Sequence, residues 1–196
     1  MKPLDGLRAD SIALHEGGPH PSDHFVELYP DDHSLVESVR TFMTMGLNQG
    51  DAAIIVADRA HREAFEVALR PGVDLDAARA QGLYTSIDAE ETLALFMEDE
   101  MPAAEKFERV VGDLIRRASA DGRRVRVFGE MVAVLWAQGN VTGALGLEDI
   151  WNDFAAAHPF QLFCAYPAAS FGEMNPSPLT AVCERHSHVR LPRELG

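Results

Sequence analysis

Ala52-Ala53-Ile54-Ile55-Val56-Ala57 is an unbroken apolar run set between Gly50-Asp51 and Asp58. A strand with one wet face alternates apolar and polar residues, so a continuous run of this length belongs to a strand covered on both faces. Such strands occur in parallel sheets with helices above and below, because parallel neighbours need a crossover. The residues on either side agree. From Ser34 the apolar residues Leu35, Val39, Phe42, Met43 and Leu47 recur at helical spacing, and Asn48-Gln49-Gly50 closes the pattern. Before that helix, His24-Phe25-Val26-Glu27-Leu28-Tyr29 reads as a first strand, ended by Pro30-Asp31-Asp32.

The alternation continues downstream. Helices are expected over about 59 to 69 and 75 to 80, a strand at Leu83 to Ile87, and a helix-rich stretch whose stripe is Phe107, Val110, Val111, Leu114 and Ile115. Val125-Arg126-Val127-Phe128 reads as the next strand, 131 to 157 as two helical segments broken at Gly139-Asn140, Phe160 to Tyr166 as a strand, and 177 to 185 as a last helix. The expected fold is therefore α/β, a single three-layer domain around a mainly parallel central sheet. Residues 1–22 read as an N-terminal arm, 23–190 as the domain and 191–196 as a tail.

The chain has 196 residues, enough for one core without disulfides or metal; 46% hydrophobic and 24% charged residues is a globular balance. Apolar stretches are interrupted before membrane-spanning length, and the first residues show no signal-peptide pattern, so a cytoplasmic protein is expected. Two cysteines, Cys164 and Cys183, agree with a reducing compartment. A net charge of −14 opposes binding to nucleic acid. The one basic run, Arg123-Arg124-Val125-Arg126, suits a helix end and a strand flank.

In a parallel sheet ligands gather beyond the C-terminal strand ends. That rule brings together Tyr29 with Asp31, the loops after Ala57 and Ile87, Gly129 with Glu130, and Tyr166 with Pro167. A phosphate loop is missing: only Lys2 and Lys106 exist, neither follows glycine, and the turn after the first strand is Pro30-Asp31-Asp32-His33-Ser34. Asp31 and Asp32 can equally be helix caps. Glu130, after Phe128-Gly129 and before Met131, places a carboxylate at the sheet edge, as a ligand contact or as a helix-start charge. Cys164 and Tyr166 share one side of their strand, with the Tyr166 hydroxyl expected in the crevice and Cys164 readable as a small core residue. Cys183, His186 and His188 lie close in sequence but match no zinc signature, and His24 reads more simply as a hydrogen-bonded edge histidine. No Gly-x-Ser-x-Gly elbow is present.

Taken in order, His24 to Tyr29 with Asp31 and Asp32, Gly46-Leu47-Asn48-Gln49-Gly50-Asp51, Phe128-Gly129-Glu130-Met131, Cys164-Ala165-Tyr166-Pro167 and His186-Ser187-His188-Val189 make the chain resemble the MEDS family of methanogen and methylotroph sensory domains. The resemblance implies a RecA/KaiC-like sheet without a working nucleotide loop. It also implies sensing of simple hydrocarbon derivatives, one-carbon compounds included, in bacterial signalling and transcription proteins. The expected function is a non-catalytic sensor that regulates a separate partner protein, as a monomer or homodimer, without cofactor, metal, direct nucleic-acid contact or membrane contact. Its expected ligand residues are His24, Tyr29, Asp31, Glu130, Met131, Cys164, Tyr166, His186 and His188. An interaction scaffold with an empty crevice, or a metal-dependent enzyme using Glu130 and the histidines, are the alternatives.

Overall fold

The computed structural model describes residues 22–171 and 177–192. The arm expected over 1–22 lies outside the described residues except for Ser22, and so does the tail beyond Pro192. The elements are β1 (His24–Tyr29), α1 (Asp32–Asn48), β2 (Ala52–Ala57), α2 (Arg59–Leu69), α3 (Leu75–Ala80), β3 (Tyr84–Asp88), α4 (Ala89–Ala94), β4 (Met97–Glu98), β5 (Met101–Pro102) and α5 (Ala104–Phe107). A π turn at Glu108–Gly112 leads into α6 (Asp113–Ala118), followed by β6 (Val125–Gly129), α7 (Met131–Ala137), α8 (Val141–Ala157), β7 (Gln161–Pro167), α9 (Ser177–Cys183) and β8 (His188–Arg190).

Six strands form one sheet in the order β3-β2-β6-β7-β1-β8, every pair parallel. Alternation along the strands feeds two cores. Ala52, Ile54 and Val56 of β2 face the layer of α4 to α9, with Val26, Leu28, Val127, Leu162, Cys164 and Tyr166. Ala53, Ile55 and Ala57 face α1 to α3, with Tyr29, Phe128, Phe163 and Ala165. The α/β three-layer architecture expected from the apolar runs is present.

Some elements were not legible. The β4–β5 hairpin, whose turn holds Asp99 and Glu100 at positive φ, is two residues a side, and β8 is three. Runs so short carry no periodicity.

The basic run has a more specific role than the one expected. Asp51, which opens β2, accepts from Arg124 Nε at 2.9 Å and Arg126 Nε at 3.0 Å. Both Asp51 and Arg126 are buried, and the Arg126 guanidinium also donates to the Phe42 carbonyl from α1. Gly46 makes room for it: a Cβ there would stand 2.4 Å from Arg126 Cδ. The stretch Gly46 to Asp51 is thus a clamp at the N-terminal end of the sheet, far from the ligand edge.

Candidate functional site

At the other end, adjacent strands β2 and β6 send their helices to opposite faces: α2 packs in the α1 to α3 layer, α7 in the other. Loops that part in this way leave a crevice at the sheet edge. Asp58 caps α2, its side chain accepting from His61 N at 2.8 Å, which fixes the first turn and points the His61 ring back over the edge. Glu130 answers from the end of β6. Its Oε2 accepts from the Asp58 backbone N–H at 2.9 Å, and its Oε1 accepts from His61 Nδ1 at 2.5 Å. Glu130 stands at the start of α7, where its charge suits the helix dipole, but its side chain makes no capping bond there and is engaged by the loop after β2 instead. It is buried, and both its oxygens are turned to the loop after β2.

Three carboxylates surround the His61 imidazole, since Asp32 and Asp58 stand 3.7 Å from it in addition to Glu130. The Glu130 hydrogen bond raises the His61 pKa to about 9 against the cost of its burial, with the other two carboxylates adding to the rise. The ring is therefore cationic at neutral pH. Tyr29 completes the edge: burial, then Glu130, Asp32 and Asp58, push its phenol well above its ordinary range. Arg62 is tied to Asp88 at the end of β3, at 3.0 Å.

A pH dependence follows from the His61 shift. A histidine whose pKa rises on folding adds stability that is complete below its unfolded value near 6.5 and lost as pH climbs through about 9. Water at the partly open ring leaves about 1–2 kcal/mol of this. Urea titrations of wild type and His61→Gln at pH 6 and pH 10 should show that alkaline loss in the wild type alone; parallel losses would contradict the assignment.

The sequence-expected residues divide between this crevice and other places. Tyr29 and Glu130 meet here, and Asp31 stands exposed at the rim as the cap of α1, accepting from Ser34 N at 2.8 Å. Met131 is packed in the core under α7. The Tyr166 hydroxyl does not reach the crevice. Tyr166 pairs with Leu28, one residue out of step with Tyr29, so it faces the opposite layer, where its hydroxyl donates to Glu148 Oε1 at 2.8 Å. His188 stacks on Phe25 at 4.9 Å and pairs with Asp23.

His24, Cys164 and His186 join a second cluster, wholly buried between β1, β7 and α8 and centred on Glu148. Cys164 and Tyr166 do share one side of β7 and both touch Glu148. Burial, then Glu148, raises the Cys164 thiol, while burial lowers His186 to about 4 and leaves its ring neutral. Cys183 is not among the four side chains that converge there.

Of the two lysines, Lys106 sits on α5 paired with Glu98, and Lys2 lies outside the described residues. No described helix is long and apolar enough to cross a membrane.

Comparison with known proteins supports the same frame. A search of the curated proteins finds no match. Among solved structures, a KaiC-like protein of the hyperthermophilic archaeon Pyrococcus horikoshii OT3 superposes with a TM-score of 0.51 at 14% identity, over 79% of this chain and 67% of that one. At that identity the likeness speaks for the fold, a RecA/KaiC-like sheet. The family model described as the methanogen/methylotroph, DcmR sensory domain matches residues 23–186, nearly all of the described fold, and the chain belongs to this MEDS family.

Proposed function

We propose that this sensory domain binds a small organic molecule in the crevice between the loops after β2 and β6, without catalysis, and passes the event to a separate partner protein in bacterial signal transduction or transcription control. One observation carries the reading: the buried Glu130 carboxylate holds both the backbone and the side chain of the loop after β2, at the place where α2 and α7 part. A ligand that donates to Glu130 or accepts from His61 must compete with their mutual bond, and so releases the first turn of α2. Binding is thereby coupled to a helix on the protein surface.

The charge selects the ligand class. Asp31, Asp32, Asp58 and Glu130 outweigh the His61 cation, which favours an uncharged polar or cationic compound, such as a one-carbon hydrocarbon derivative, over a phosphate. ATP with magnesium is expected to give no heat of binding in calorimetry; micromolar binding would contradict this. A cytoplasmic monomer or homodimer that acts through a protein partner, and not on duplex DNA, fits the −14 charge and the engagement of Arg124 and Arg126 by Asp51.

The test is a binding titration with methanol, methylamine and dichloromethane, on wild type and Glu130→Gln. Loss of a charge-assisted hydrogen bond should weaken the best binder about ten- to a hundredfold, roughly 1.5–3 kcal/mol. Binding that survives the substitution unchanged, or no binding by any of the three compounds, would count against this crevice as the site for one-carbon ligands.

A further inference from the structure

The buried cluster around Glu148 is assembled from four distant parts of the chain. His24 starts β1, Glu148 lies on α8, Cys164 is in the middle of β7, and His186 sits in the turn before β8. Its internal distances are regular. His24 Nε2 is 3.3 Å from Cys164 Sγ and 3.3 Å from Glu148 Oε2, Cys164 Sγ is 3.6 Å from that same oxygen, and His186 Nε2 is 3.5 Å from it. Four ligands bound tetrahedrally to zinc at its usual bond lengths stand about 3.3–3.8 Å apart.

The surrounding hydrogen bonds decide which atoms carry protons. His186 Nδ1 is 2.7 Å from the Val182 carbonyl, which can only accept, so Nδ1 holds the proton and Nε2 presents a lone pair. His24 Nδ1 is 2.9 Å from Asn152 Oδ1. The Asn152 amide is oriented by its Nδ2, which donates to the Arg185 carbonyl at 2.9 Å, so its oxygen faces His24 Nδ1 and Nε2 is the nitrogen turned to the cluster. Tyr166 donates to Glu148 Oε1 and leaves Oε2 for the centre. Two imidazole Nε2 atoms, a carboxylate oxygen and a thiol sulfur therefore converge on one point. His186 Nε2, wholly buried, has no hydrogen-bond partner. Leaving such a group unmatched costs about 1–3 kcal/mol, and a cation at the centre would satisfy all four atoms at once.

The geometry points to a closed, tetrahedral zinc centre ligated by His24 Nε2, Glu148 Oε2, Cys164 Sγ and His186 Nε2. Nitrogen and sulfur donors together suit a borderline-soft ion. One zinc balances one thiolate and one carboxylate, so the buried set is neutral as a whole, with the thiol proton released to solvent on loading. Asn152, the Val182 carbonyl and Tyr166 hold the ligands in place. With all four positions taken by protein, the ion would fasten β1, β7, α8 and the turn before β8 together. This inference does not rest on the crevice, because no residue is shared between them.

The full chain is expressed in zinc-containing and in cobalt-supplemented minimal medium. Expected are about one zinc per chain by elemental analysis and, for the cobalt protein, tetrahedral d–d absorption with a thiolate charge-transfer band. Cys164→Ser should abolish that band, while Cys183→Ser should keep it. Asn152→Ala, a positioning change, should retain the band but weaken zinc about 10- to 100-fold in chelator competition. A metal-free, folded wild-type protein that shows no cobalt bands and melts at the same temperature with and without zinc would overturn the inference and assign protons to the cluster. A cobalt band retained in Cys164→Ser would overturn it as well. These readouts on the wild type do not depend on the variants folding.

Discussion

Asp51→Ala is expected to destabilise the fold by about 3–5 kcal/mol, because it leaves the Arg126 guanidinium buried without its anion. Arg126 is 2% exposed and Asp51 3%, so water cannot take over the lost contact. What remains around Arg126 is neutral: the Phe42 carbonyl at 3.3 Å and the Phe42 ring, 5.1 Å from the guanidinium. In a domain of this size the change should lower the melting temperature by roughly 10 °C. The second substitution Arg126→Met in the same chain should recover part of the loss, since it removes the stranded charge and keeps an apolar stem beside Gly46. Urea unfolding of the wild type and the two variants measures both effects. A loss under about 1 kcal/mol for Asp51→Ala would show that the Arg126 charge is not stranded and that the clamp adds little to stability.

Trp151→Ala should cost a similar amount, about 3–5 kcal/mol, by opening a cavity at the centre of the larger core. Trp151 is fully buried on α8, with Phe107 edge-on at 4.7 Å and Phe160 at 5.8 Å. Trp151→Phe is a different case. The indole Nε1–H is buried with no partner, so phenylalanine removes an unsatisfied donor along with some volume, and the two changes offset to within about 1 kcal/mol. Thermal melts of both variants separate packing from polarity; equal losses would show that the indole N–H is satisfied. Because Glu148 and Asn152 flank Trp151 on the same helix, the alanine variant should also loosen the buried cluster.

Much of this was legible from residue pattern. The run Ala52 to Ala57 and its counterparts identified five of the six strands of the main sheet and their parallel pairing, with a shift of about one residue at Leu83 and Phe160. Glu130 stands out in the sequence because ligands in such sheets gather at strand ends, a rule that needs no register, and the structure places it there beside His61. Tyr166 failed for want of register: only the pairing of Leu28 with Tyr166 reveals that Tyr29 and Tyr166 face opposite layers. His61 left no signal, being one polar residue among Arg59, Arg62 and Glu63 on a wet helix. Glu148 did leave one, a carboxylate on the buried face of α8 beside Ala144, Leu147 and Trp151. Sequence proximity grouped Cys183 with His186 and His188, whereas the fold takes His186 alone and brings its companions from β1, α8 and β7.

The position of β1 has a consequence for how the protein is made. Its two neighbours in the sheet are β7 and β8, so β1, the first of the described strands in chain order, has no sheet partner until residues from 161 onward have emerged. At ordinary translation rates that interval is on the order of ten seconds. During it β2, β3 and β6 can already associate, while the apolar segment His24 to Tyr29 stays unpaired, because β7 stands between β6 and β1. The nascent chain is thus most exposed to chaperones and to mispairing through its earliest strand, and release comes only when the last helices and β8 fold back over it.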